Sequence, residues 1–117
     1  MTTILRKENE VLVEQCVVAR NFFTRFLGLM GRTHLPANEA IIFPKCNSIH
    51  TFFMRMPIDV VFVSATGEVV RVLNSLSPWR LLLPIKGAVH TIELGPDQAN
   101  QKKIRQGDRL ICPGVFE

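Results

Sequence analysis

Polar side chains set inside apolar, strand-like runs are where this sequence has room for chemistry. Burying an unpaired polar group costs about 1 to 3 kcal/mol, so a chain keeps one only if it is paired or used. Arg25, His50, Asp59, Glu93 and Asp108 are the residues that stand out. Arg25 lies in an aromatic stretch, Asp59 follows Pro57-Ile58 at the head of an apolar run, and Glu93 sits between Ile92 and Leu94. A histidine within reach of a carboxylate can act in general acid-base catalysis, which makes His50 with Asp59 or Glu93 the catalytic candidate. Arg25, His50, Thr51 and Asp59 gathered at a rim would instead suit a small polar ligand. Each residue also has a purely structural reading. Arg25 paired with Asp59 or Glu93 would fix a helix against a sheet, His50 would bond to backbone, and Asp108 after Gly107 would be a turn residue. Met30, Met54 and Met56 among phenylalanines read as core.

The catalytic reading rests on residue types alone, because the sequence has no nucleophile elbow, phosphate loop, dinucleotide fingerprint or H-E-x-x-H. Cys16, Cys46 and Cys112 are odd in number and form no C-x-x-C pair. They read as thiols in a reduced compartment, with no structural zinc, and no cofactor is expected. The net charge of +4 is dispersed except for Lys102, Lys103, Arg105 and Arg109. A solvated basic face is the commoner outcome for such a run, so no nucleic-acid partner is expected. The N-terminal residues, with Arg6, Lys7, Glu8 and Glu10, lack the apolar core of an export signal, and no run approaches the roughly 20 apolar residues of a membrane helix. The expectation is a cytoplasmic protein with no membrane partner.

The elements that must position these residues follow from pattern. At 117 residues, 47% hydrophobic and 21% charged, residues 1–117 read as a single domain with a core that needs no staples. Ile4-Leu5 and Val11 to Val18 predict a hairpin, and Ala40 to Phe43 and Ser48 to Met54 predict strands. Asn21 can cap a helix in which Phe22, Phe23, Phe26, Leu27 and Met30 recur at helical spacing. Ile58 to Ser64 and Glu68 to Asn74 predict a second hairpin turned through Gly67, both strands apolar enough to be central. Ser75 to Lys86 reads as a loop bending Leu81-Leu82-Leu83 inward, followed by a strand at 88–94, a short helix within 96–104 and a last strand at 109–112. The fold class is mainly β (α+β): a compact, mostly antiparallel β-barrel or sandwich with one or two short helices.

Arg25-Phe26-Leu27-Gly28-Leu29-Met30, the block from Ile49-His50-Thr51 to Met54, Pro57-Ile58-Asp59-Val60-Val61-Phe62, Ile92-Glu93-Leu94 and Gly107-Asp108 together resemble one prokaryotic family, domain of unknown function 192. The resemblance runs from about Arg20 to Cys112. It implies a compact, mainly β domain with no established biochemical activity. The segment Gly95 to Lys103 is more polar than the small-residue pattern common there, so contacts made by that stretch do not transfer.

Three functions remain open. The first is a small-ligand binding module whose mouth gathers Arg25, His50, Thr51 and Asp59, with Trp79 as a lid. The second is a protein-interaction domain docking through Trp79-Arg80-Leu81-Leu82-Leu83, and the third is a His/carboxylate enzyme, the reading favoured least. A binding module needs a pocket with converging polar groups, an enzyme a histidine bonded to a carboxylate, and an interaction domain an exposed 79–83 loop. Glu93 is expected to be shielded and ion-paired, with Arg25 the first choice of partner.

Overall fold

The computed structural model describes residues 2–19, 34–51 and 55–116. Runs rich in Val, Ile and Thr form strands because branched side chains pack well on a pleated surface. Among the described residues nine strands result: β1 Thr2–Lys7, β2 Glu10–Val18, β3 Glu39–Phe43, β4 Ile49–His50, β5 Ile58–Val63, β6 Val69–Leu76, β7 Leu81–Leu82, β8 His90–Leu94 and β9 Leu110–Ile111. A short helix, α1, spans Gln98–Gln101. Seven strands make a curled, half-barrel sheet in the order β6-β5-β8-β3-β2-β1-β9, and β4 pairs with β7 in a separate two-stranded sheet.

The expected mainly β class and both expected hairpins are present. The second hairpin turns at Gly67, whose φ of +92° is the left-handed conformation glycine adopts without strain. A Cβ at Gly67 would also collide with the Leu110 carbonyl oxygen and the Phe116 ring. The C-terminal segment is thereby held against this turn, with the Leu110 N–H donating to the Gly67 carbonyl at 2.8 Å. The helix expected from Asn21 lies outside the described residues, as do Phe52, Phe53 and Met54 of the expected 48–54 strand.

Three expectations are corrected. Although the sheet is mostly antiparallel, β2 and β3 run parallel, with Gln15 beside Glu39 and Val18 beside Ile42. Parallel neighbours need a crossover of a dozen or more residues, and the chain between Val18 and Glu39 is long enough to supply it. Next, β6 is an edge strand rather than a central one, and after the buried Val69 its residues are half-buried or exposed, whereas β5, held between β6 and β8, is buried throughout. Finally, Leu81 and Leu83 do not bend inward: they are 61% and 73% exposed.

The sheet has two covered faces. Directly opposed residues on neighbouring strands point to the same side. One side packs Val61, Val63, Ile92 and Leu94 against Ala99 of α1, Cys112 and Phe116; we call it the helix face. The other packs Ile41, Phe43, Val60 and Phe62 against Ile49 of β4 and Leu82 of β7, strands far apart in sequence that pair as the arms of a hairpin do; we call it the hairpin face.

Candidate functional site

Asp59 opposes Leu94 across the β5–β8 ladder and so belongs to the helix face. Its fully buried carboxylate accepts three backbone N–H bonds: from Ser75 at 2.8 Å and Asp97 at 3.0 Å on Oδ1, and from Ala99 at 2.8 Å on Oδ2. The first of these sits where the β5–β6 register slips between Ile58 and Val60, with Ser75 at a positive φ of 50°. Such a bulge leaves a ladder N–H without its strand partner, and Asp59 takes it. The other two bonds tie β5 to the start of α1. Asp59 is therefore a clasp between edge strand, central strand and helix.

Glu93 opposes both Ile41 and Val60, which places it on the hairpin face, across the sheet from Asp59. It is 4% exposed, as expected, and burial pushes its carboxyl up to about 8. Charge is costly in such surroundings, and the proton neutralises it. Its expected partner, Arg25, lies outside the described residues, and among those described no ion pair reaches Glu93. One shared acid-base site cannot use both Asp59 and Glu93 as base and orienter, since the sheet separates them.

Thr51 is also fully buried. Its hydroxyl donates to the Ser77 carbonyl at 2.8 Å and accepts from the Arg80 N–H at 2.7 Å. Its own N–H donates to the Arg80 carbonyl at 2.8 Å, and its carbonyl accepts from the Trp79 N–H at 2.9 Å. Thr51 thus brings Trp79 to the strand pair in which Ile49 opposes Leu82 and His50 opposes Leu81. Trp79 takes a φ of +65°, a region bulky residues rarely enter and which costs about 1 to 3 kcal/mol. The four Thr51 bonds hold it there. Thr51→Val is expected to lower stability by about 2 kcal/mol, since it removes a hydroxyl that both donates and accepts. Thr51→Ser should retain most of that stability. A urea midpoint for Thr51→Val equal to that of the parent would refute the clasp.

Of the residues singled out in the sequence, the structure joins Thr51, Trp79 and the His50 backbone, and sets Asp59 on the other side of the sheet. Asp108 serves its turn, accepting from the Arg105 N–H at 2.8 Å and from Lys7 Nζ at 3.2 Å, and these bonds hold its carboxyl below the usual range. The three cysteines are thiols. Burial, reinforced by nearby Cys112, pushes Cys16 up to about 12, which leaves it inert as a nucleophile.

Sequence reasoning passed over His90. Its Nδ1 accepts from the Lys45 N–H at 3.0 Å and its ring lies 5.5 Å from that of Phe116. An accepting Nδ1 requires the neutral tautomer, in agreement with a pKa lowered by burial and by Lys45. The only available signal was its place in alternation with Ile92 and Leu94 on the helix face. A cavity of about 220 Å³, lined by His34, Leu35, Pro36, Ala37, Met56, Gly95, Pro96 and Gln98, also escaped notice. Of its lining side chains only His34 and Gln98 are polar, and neither Thr51, Asp59 nor Trp79 reaches it.

Comparison with known proteins places these features in context. A family model described as uncharacterized ACR, DUF192, matches residues 3–112. A UPF0127 protein of Pyrococcus furiosus is 38% identical over 98 residues, 79% of this chain and 81% of its own length. A UPF0127 protein of Thermococcus sibiricus is 38% identical over 96 residues, but the match spans only 60% of that protein's length. Among solved structures, a protein of unknown function from Novosphingobium aromaticivorans superposes with a TM-score of 0.79 at 23% identity, over 95% of this chain and 84% of its own. A putative transcription regulator from Sinorhizobium meliloti gives 0.84 at 16% identity, over 98% and 96%. At such identities the likeness is one of fold.

Proposed function

The chain belongs to the DUF192 family of uncharacterised proteins, and on its surface we propose that it is an interaction domain that docks through the Trp79 to Leu83 segment. The observation that carries this reading is the outward set of Trp79, Leu81 and Leu83, exposed by 60%, 61% and 73%. Three large apolar side chains exposed within five residues of one segment are the kind of group that marks a contact site. Trp79 and Arg80 are also the residue types that carry most energy in interfaces. The segment is positioned rather than loose: Thr51 fixes its turn and Leu82 packs against the core of the hairpin face. Chains that maintain a strained residue in an exposed turn commonly use it.

A small-ligand site built on Arg25, His50, Thr51, Asp59 and Trp79 has less support. Asp59 and Thr51 are engaged in bonds within the chain, and the described cavity converges few polar groups. Docking is tested by placing a photo-crosslinking residue at position 83 and, as a control, at the exposed turn position 106, in expressing cells. The expected result is adduct formation at 83 well in excess of 106. Equal labelling at both positions would refute the reading.

A further inference from the structure

Resting on that docking reading, we infer that the occupant of the Trp79 to Leu83 segment is the surface of an anionic lipid bilayer, with Trp79, Leu81 and Leu83 entering the interface and basic residues meeting the headgroups. The first support is a charge asymmetry. Between Glu39 and Asp59, and again between Glu68 and Glu93, the chain contains no acidic residue. These two stretches supply β4, β7 and the turn that Thr51 holds. Their charged side chains are Lys45, Arg55, Arg71, Arg80 and Lys86, every one of them exposed. Of the four carboxylates that bound these stretches, Asp59 and Glu93 are buried, Glu39 is half-buried and Glu68 is exposed. Arg71 opposes Phe62 and so lies on the hairpin face, while Arg80 and Lys86 flank Leu81 and Leu83. Positive charge of this kind complements an anionic surface.

The second support is the form of the apolar group. Leu82 packs half-buried against the core, whereas its neighbours Leu81 and Leu83 are exposed on either side of it. An indole beside aliphatic tips, with guanidinium and ammonium groups at the margin, matches the composition of segments that lie in a membrane interface. Arg and Lys can extend their apolar stems along the acyl region and keep their charge among the headgroups. No helix of the described residues is long and apolar enough to cross a membrane, so this is contact from one side.

Trp79 is the sole tryptophan, and its emission therefore reports the segment directly. The test is co-sedimentation of the intact chain with phosphatidylcholine–phosphatidylglycerol vesicles and with pure phosphatidylcholine vesicles. Binding to the anionic vesicles is expected, with a blue shift of Trp79 emission, and much weaker binding to the neutral ones. Arg80→Gln and Lys86→Gln should each weaken it roughly fivefold, and Leu83→Ser roughly tenfold or more. High salt should weaken it as well, as the screening length falls to about 3 Å at 1 M. No binding to anionic vesicles, equal binding to both kinds, or binding without a change in Trp79 emission would overturn the inference. If anionic vesicles leave the chain unbound while position 83 still crosslinks to protein in cells, the occupant is a protein surface: the membrane inference falls and the docking reading stands.

Discussion

Asp59→Ala is expected to cost about 4 kcal/mol or more, enough to bring a domain of ordinary stability close to unfolding. The carboxylate satisfies three backbone donors belonging to β6, to the turn before α1 and to α1 itself. Hydrogen bonds to a charged group contribute about 1.5 to 3 kcal/mol each, and donors left unpaired incur their desolvation cost in addition. The Ala99 N–H is fully buried and has no route to water, so its loss dominates. Asp59→Asn separates the contributions. Its amide oxygen can replace Oδ1 and keep Ser75 and Asp97, but the NH2 group then faces the Ala99 N–H, donor against donor. A loss of about 2 kcal/mol is expected, intermediate between parent and Asp59→Ala. Urea unfolding decides this, read as a change of midpoint at constant slope. A change below about 1 kcal/mol for Asp59→Ala would mean that the clasp does not hold the sheet to α1.

Glu93 should make stability depend on pH in the opposite sense to an ordinary carboxylate. Its folded-state value is raised from 4.5 to about 8 by burial. The folded chain therefore holds a proton that the unfolded chain releases above 4.5. The resulting stability is fully present below pH 4.5 and is lost as pH rises through 8. At about 1.4 kcal/mol per pH unit per proton, the loss across this window is on the order of 5 kcal/mol. Glu93→Gln keeps the shape and removes the titration, so it should flatten the profile and be more stable than the parent at pH 8. Denaturant midpoints measured from pH 5 to 8 for both chains provide the check. A flat parent profile, together with a Glu93→Gln variant less stable than the parent at pH 8, would instead establish a charged, ion-paired Glu93 of the kind expected with Arg25.

Local pattern carried much of the architecture. The branched runs at 58–63 and 69–74 with Gly67 between them name a hairpin, because strand propensity and a positive-φ turn depend only on neighbouring residues. The burial of Glu93 was legible in the same way, from its apolar flanks, whereas Asp59, expected at a rim, is fully buried. Which strand would be central was not legible. β5 and β6 read alike, and only the insertion of β8 beside β5, more than 25 residues away in sequence, buries one and leaves the other at the edge. Nor did alternation along β2 and β3 announce that they would run parallel, since direction is chosen by the crossover and not by either strand.

The polar residues divide along the same line. Their types and apolar neighbours showed that Asp59 and Thr51 had to be satisfied. Their partners lie 16 to 40 residues away for Asp59 and 26 to 29 for Thr51, and no spacing rule reaches that far. The outward set of Leu81 and Leu83 has the same origin. Composition alone places leucines inside, whereas the β4–β7 pair rests on the sheet through Ile49 and Leu82 and leaves Leu81 and Leu83, on either side of Leu82, to solvent. The sequence determined which groups need burial or a partner, because that is a property of each side chain and its immediate flanks. The tertiary structure decided which partner each received and which apolar groups were left exposed, because both depend on register between segments that meet only when the sheet closes.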